Sequence, residues 1–138
     1  MTVSPGKAPE TKKESIGNPA EVLPSVKVVI SEVRAVTATA QGPGEVSGPA
    51  VAVTIDVANG TDKPLDLSTV QVNLEDSAGR PGSGMTGSPA KWFAGSLAAG
   101  ASGQGVYVFA VPEQSRKPVH VEVSVQPTLP TVVFTGDI

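Results

Sequence analysis

The side chains that could do chemistry in this chain are few, and their spacing argues against a catalytic set. His120 is the only histidine and there is no cysteine. A nucleophilic triad needs an imidazole held by a carboxylate beside a serine poised at a turn. His120 instead sits between Val119 and Val121, on what alternation makes the solvent face of a strand, and no G-x-S-x-G elbow occurs. It reads as an exposed strand histidine. A hydrolase is the weakest of three readings, revived only if His120 lies against a carboxylate and a serine.

Carboxylates at Asp56, Asp62, Asp66, Glu75 and Asp76 offer the oxygen ligands that calcium takes, but without the D-x-D-x-D-G spacing of a calcium loop. Asp56 lies on an outward face, and Asp62, Asp66 and Asp76 suit turns, so all read as solvated acids. One histidine without cysteine cannot build a nitrogen/sulfur metal site. The glycine-rich stretch 77–90 has no lysine at Walker spacing, so it cradles no nucleotide. No cofactor or metal is expected.

Binding chemistry is better represented. Trp92 and Phe93 adjoin the glycine-rich loop, with Tyr107 not far along the chain. An exposed Trp/Tyr pair stacks a sugar ring or anchors a partner. With one Trp, one Tyr and three Phe, a sandwich of this size needs most of its rings inside. Core filling is therefore their first reading, and an exposed ring would be Trp92 sooner than Phe109. The loop 77–90 exceeds the length at which a structureless connection points to function. Arg80 and Met85 within it, with Lys91 and Trp92 just after it, are the residues assigned to partner contact, supplemented by the loop 38–49.

The elements that would carry these residues are strands. Val51, Val53, Ile55 and Val57 alternate with Ala52, Thr54, Asp56 and Ala58, a greasy face and a wet one. Asn59-Gly60 follows, a pair suited to the positive φ of a tight turn. Val26 to Thr37 is an earlier strand whose apolar phase changes near Ser31-Glu32, the mark of a β-bulge. Pro64 places Leu65–Leu67 at an edge. Val70, Val72 and Leu74 face inward on the next strand. Val106–Pro112 is apolar on both faces and so central. Val119, Val121, Val123 and Val125 alternate again, and Val132–Phe134 ends the series. The fold expected is all-β, an immunoglobulin-like antiparallel β-sandwich of seven to eight strands over residues 26–138.

Residues 1–25 carry prolines at 5, 9, 19 and 24 without apolar periodicity, and read as a disordered N-terminal tether. Net charge is −3 and no basic run exceeds a pair such as Lys12-Lys13, so nucleic acid is not an expected partner. No apolar run approaches the ~20 residues that span a bilayer. A tether of this composition suits a stalk behind an anchor, so any membrane connection would come through an anchor or signal upstream of Met1.

The run Val51–Asp66, with its strand, the Asn59 turn and Lys63-Pro64-Leu65, resembles the strand-plus-N-x-x-x-x-P signature of an immunoglobulin-like domain family. That family occurs in secreted proteins and lipoproteins of Gram-positive bacteria, especially actinobacteria. The likeness continues through Val72–Gly79, Leu97–Ser102 and Val106–Pro112. It is also similar in layout to the small secreted mycobacterial antigens of the immunoprotective extracellular type. The resemblance implies an exported, cell-envelope-associated sandwich and supplies no catalytic residues. The leading functional reading is a non-enzymatic binding module with a protein or cell-envelope partner, secreted or cell-surface. The alternative is a spacer or accessory domain of a larger anchored protein.

Overall fold

The computed structural model describes residues 11–138 apart from 41, 42, 44, 46, 88, 89, 127 and 128. In chain order the strands are β1 (Thr11–Ser15), β2 (Ala20–Leu23), β3 (Val26–Ala38), β4 (Gly48–Asn59), β5 (Leu65–Asp66) and β6 (Gln71–Glu75). They continue with β7 (Ser83–Met85), β8 (Ser96–Leu97), β9 (Ser102–Ala110), β10 (Val119–Ser124) and β11 (Thr131–Gly136). A single turn of 3₁₀ helix, Glu113–Ser115, precedes β10. One sheet has the order β1-β11-β10-β6, the facing sheet β2-β3-β4-β9-β7, and β5 pairs with β8 separately.

The alternation in β4 does what its period requires. Val51, Val53, Ile55 and Val57 are fully buried and meet Val119, Val121, Val123, Val132 and Phe134 of the opposite sheet in one core. A bulge between Ile30 and Glu32 of β3 falls at the predicted change of phase. Beyond it Val33 lies opposite Val53 and packs on the same core as Ile30. The one unpaired residue keeps Val33 on the inner face with Val26, Val28 and Ile30, while Val36 packs on the outer one.

Three expectations are corrected. The sandwich is not purely antiparallel, because β1 runs parallel to β11, with Thr11 opposite Thr131 and Ser15 opposite Thr135. Thr11–Ser15 and Ala20–Leu23, assigned to the tether, are strands, while residues 1–10 lie outside the described residues. β1 is invisible to hydrophobic periodicity because its TKKES sequence buries no apolar side chain and is held by a backbone ladder. Ile16 then seats on Gly136, where an added Cβ would come within 3.0 Å of Ile16 Cδ1. The chain crosses to the other sheet, where Ala20 and Val22 are buried. The strands also number eleven among the described residues, the excess coming from these two edge strands and the short β7 and β8.

The outer face of β4 is wet only in part. Ala50 and Ala52 are buried there beside Ala38, Val108 and Met85, under the segment that had read as a glycine-rich loop. Small alanine side chains let that segment lie close to the sheet. On the inner face, Gly105 and Gly103 of β9 stand opposite Ile55 and Val57. A Cβ at Gly105 would meet the Phe93 ring at 2.9 Å, and one at Gly103 would meet Leu97 at 3.2 Å. The two glycines are the seats for side chains that return to the core from residues 93–97.

Asn59 is not the hairpin turn that its pairing with Gly60 suggests. Neither residue has a positive φ, and Asn59 is buried. Its Nδ2 donates to the carbonyls of Lys63 (2.8 Å), Leu97 (3.0 Å) and Ala98 (3.3 Å). Its Oδ1 accepts from Thr61 N (3.1 Å) and Thr61 Oγ1 (2.6 Å). Gly60 is required by close approach, since its N–H donates to Ser25 O at 2.7 Å and a Cβ would lie 2.8 Å from that oxygen.

Asn59→Asp puts a carboxylate against three carbonyl oxygens and is expected to cost about 3 kcal/mol, read as a lowered urea midpoint with an unchanged slope. Val53→Asp buries an unpaired charge in the main core and is expected to cost on the order of 4 kcal/mol or more. A circular-dichroism melt close to that of the wild type would contradict the inward assignment of Val53.

Candidate functional site

The two sheets share two long sides. On one, the chain passes directly from β1 to β2. On the other, β6 and β7 are the edge strands, and the chain crosses between them at Pro81-Gly82. Gly82 N–H donates to Leu74 O at 2.8 Å, and a Cβ there would strike Leu74, Phe109 and Val111 at 3.1 to 3.3 Å. Beyond this crossing the β6 side opens into a cleft of ≈280 Å³. Val70, Val72, Met85, Trp92, Tyr107 and Phe109 supply its apolar walls, and among the described residues no charged side chain lines it.

Trp92 is held over this cleft by its neighbours. Lys91 and Val106 exchange backbone hydrogen bonds, each 2.8 Å, which fastens the segment to β9 where β7 has ended. Phe93 N–H donates to the Tyr107 hydroxyl at 3.1 Å. The Trp92 and Tyr107 rings are nearly parallel, 8° apart with centroids at 6.3 Å, and Phe93 tilts against Tyr107 at 6.2 Å. Burial raises the Tyr107 phenol above its ordinary pKa, partly offset by the Phe93 hydrogen bond, so it stays neutral. Trp92 is 55% exposed, the one large hydrophobic side chain so exposed among the described residues.

The four residues assigned to partner contact do not all gather here. Trp92 forms the cleft wall and Lys91 is exposed beside it. Met85, expected on the surface, is buried; it packs with Ala38, Ala50, Ala52 and Val108 and contributes to the cleft lining. The correction follows from β7: Ser83–Met85 pairs with β9, which turns Met85 down onto the sheet. Arg80 is exposed but is tied to the Asp76 turn and does not line the cleft. The loops 38–49 and 77–90 do meet, since Glu45 accepts hydrogen bonds from Thr86 N (3.2 Å) and Thr86 Oγ1 (2.5 Å).

The acids are dispersed, and among the described residues no three His, Asp or Glu side chains gather as a metal site would need. Asp56 accepts from Gln104 (2.8 Å), and Asp66 accepts from Ser68 N and Oγ. Asp76, read as solvated, is buried because it organises its own turn. Its Oδ1 accepts from Ala78 N and Arg80 N, both 2.9 Å, and Oδ2 pairs with Arg80 Nε at 3.2 Å. The Arg80 backbone bond, helped by Ala78 and the guanidinium, holds its carboxyl below the ordinary value despite burial. His120 is half-buried rather than exposed, with Nδ1 2.9 Å from Thr135 Oγ1.

Sequence reasoning passed over two groups. Val70 and Val72 read as plain core, because nothing in their spacing says that β6 is an edge. Arg116 carried no signal in a polar stretch, yet it is buried, with Nη2 donating to Val111 O (2.9 Å) and Ala50 O (3.5 Å), and Nε without a partner.

No protein-family model matches the chain, and none of the curated proteins matches it in sequence. Solved structures do share its fold. The secreted protein MPT63 of Mycobacterium tuberculosis aligns over 91% of this chain and 98% of its own, with a TM-score of 0.65 and 15% identity. The yjhA protein of Bacillus subtilis aligns over 84% and 85%, with a TM-score of 0.69 and 12% identity. A functionally unknown protein of Listeria monocytogenes aligns over 91% and 84%, with a TM-score of 0.63 and 14% identity. Likeness at this identity is likeness of fold: a bacterial β-sandwich with the layout expected from the secreted mycobacterial proteins.

The lowered pKa of Asp76 gives a pH dependence of definite sign. An acid whose folded pKa is depressed adds stability above its unfolded value, near 4, which is lost as pH falls through the folded pKa. Asp76→Asn keeps the Oδ1 acceptor but not the charge. Its urea midpoint should fall short of the wild type at pH 7, and the gap should narrow below about pH 4. A gap independent of pH would contradict the ionised-Asp76 turn.

Proposed function

We propose that this chain is a non-enzymatic interaction module of the bacterial cell surface or extracellular space, with the Trp92 cleft as its contact surface. The observation that carries this reading is the placement of Trp92: a large ring left in solvent, yet fixed by a backbone bridge and by Tyr107 above an apolar recess. Rigid, amphipathic rings of this kind give contact area at little entropic cost and dominate binding surfaces. The partner is a protein or another cell-envelope component. The secreted mycobacterial protein of the same fold supports an exported location. The dispersed acids and the His120–Thr135 contact support a role without chemistry.

A photo-crosslinking amino acid placed at position 92 in the native bacterium is expected to give a discrete adduct. The same group at Lys27, exposed on β3, should not. Equal adducts from both positions would remove the assignment to the cleft. Trp92→Ala should change stability by about 1 kcal/mol or less, because the ring is half in water, so putting the crosslinker in place of this ring leaves the fold intact.

A further inference from the structure

The edge of β6 identifies what kind of molecule the cleft takes. Leu74 and Asp76 turn their backbone groups away from β10: Leu74 O accepts from Gly82 N, and Asp76 N donates to Arg80 O. These two bonds frame the antiparallel bridge between Glu75 and Pro81. Backbone groups alternate along a strand, so Val72 N–H and C=O point the same way, as does Leu74 N–H. At Gly82 the chain leaves for the other sheet, and β6 has no strand neighbour besides β10. Among the described residues, nothing covers the outward groups of Val72. An edge strand with an unpaired donor and acceptor is a template for another strand.

These groups open onto the apolar cleft. Val72 points its side chain inward, and a residue directly across a ladder shares the face of the residue it opposes. A strand added beside Val72, continuing the line of Pro81, therefore aims alternate side chains between Val72 and the wall of Trp92, Tyr107 and Phe109. From this register and the apolar recess beside it we infer that the cleft binds an extended peptide by antiparallel strand addition to β6. An apolar side chain fills the recess. The inference rests on the Trp92 cleft being the contact surface and goes on to name its partner. Main-chain bonds supply affinity in this mode and the pocket supplies selectivity.

The probe is an array of blocked heptapeptides that alternate threonine with valine, leucine or phenylalanine and carry glutamate at either end, titrated into the whole chain. Trp92 is the only tryptophan, so its emission reports cleft occupancy, while amide NMR reports Val72 and Leu74. Binding peptides should shift Trp92 emission together with both amides. N-methylation at residues facing β6 should weaken binding about tenfold or more, and at the intervening residues far less. Trp92→Ala should weaken binding about tenfold. Peptides that shift Trp92 while Val72 and Leu74 stay still, or that tolerate N-methylation at every position, would overturn strand addition and leave the cleft as the contact surface. If neither Trp92 nor the amides respond to any peptide, strand addition is overturned, and the crosslinking at position 92 then decides the cleft separately.

Discussion

One buried side-chain amide closes an entire end of this sandwich. Asn59 terminates β4 and from there binds carbonyls at Lys63, before β5, at Leu97, the last residue of β8, and at Ala98 just after it. Its own backbone exchanges bonds with the turn ahead of β9, through Ala101 O and Gly100 N. Those segments otherwise share only the two-residue pairing of β5 with β8. A two-stranded patch of that size does not stand alone in water. With the amide in place, Leu65, Leu67 and Leu97 are fixed as the lid of the core. Phe93 and Leu97 can then drop onto Gly105 and Gly103, and that descent in turn sets the height of Trp92. The geometry of the cleft wall is thus traceable to an asparagine at the far end of the same strands.

The cleft itself follows from a mismatch between the two edge strands. β6 has five residues and β7 three, and the crossing at Pro81-Gly82 uses up the C-terminal end of β6. The remainder of that side is covered on β9 by the Lys91–Val106 bridge and on β6 by nothing in the described residues. Isolated edges of this kind are usually blunted by charge, proline or a bulge. Here proline stands only at the occupied end, at Pro81. Gln71 and Asn73 point outward on the exposed segment, polar but uncharged, which discourages aggregation less strongly than lysine would.

The inward faces of β3, β4, β9 and β10, and the bulge in β3, are legible in the sequence because burial imposes a period of two on valine-rich runs. What escapes is structure whose cause is not burial. β1 has no apolar face to advertise it, and its partner in the ladder is the last strand of the chain, so no local turn predicts the pairing. The glycines of 77–90 read as one loose loop, whereas Gly82 is there for a sheet-to-sheet crossing and Gly79, with φ 81°, for the turn that Asp76 caps. Asn59-Gly60 was legible as a chain reversal but not as a hub, because dipeptide preferences describe φ and not what a side chain reaches thirty-nine residues away. Of the candidate cleft, Trp92 is the residue that the sequence singles out. The edge status of β6 could not be read there, since it depends on where another strand goes.

The parallel pairing of β1 with β11 sets how the molecule carries load. Thr11 opens β1 beside Thr131, and β11 leaves the sheet at Gly136, past the partner of Ser15. Tension applied along the chain would therefore pull the two strands past one another lengthwise. The ladder between them is then strained in shear, with its hydrogen bonds resisting together, and not opened one at a time like a zipper. The antiparallel hairpin of β2 and β3 lies behind this clamp and bears force only once it has slipped. The polar, featureless sequence of β1 is thereby the part of the fold that such a pull would load first.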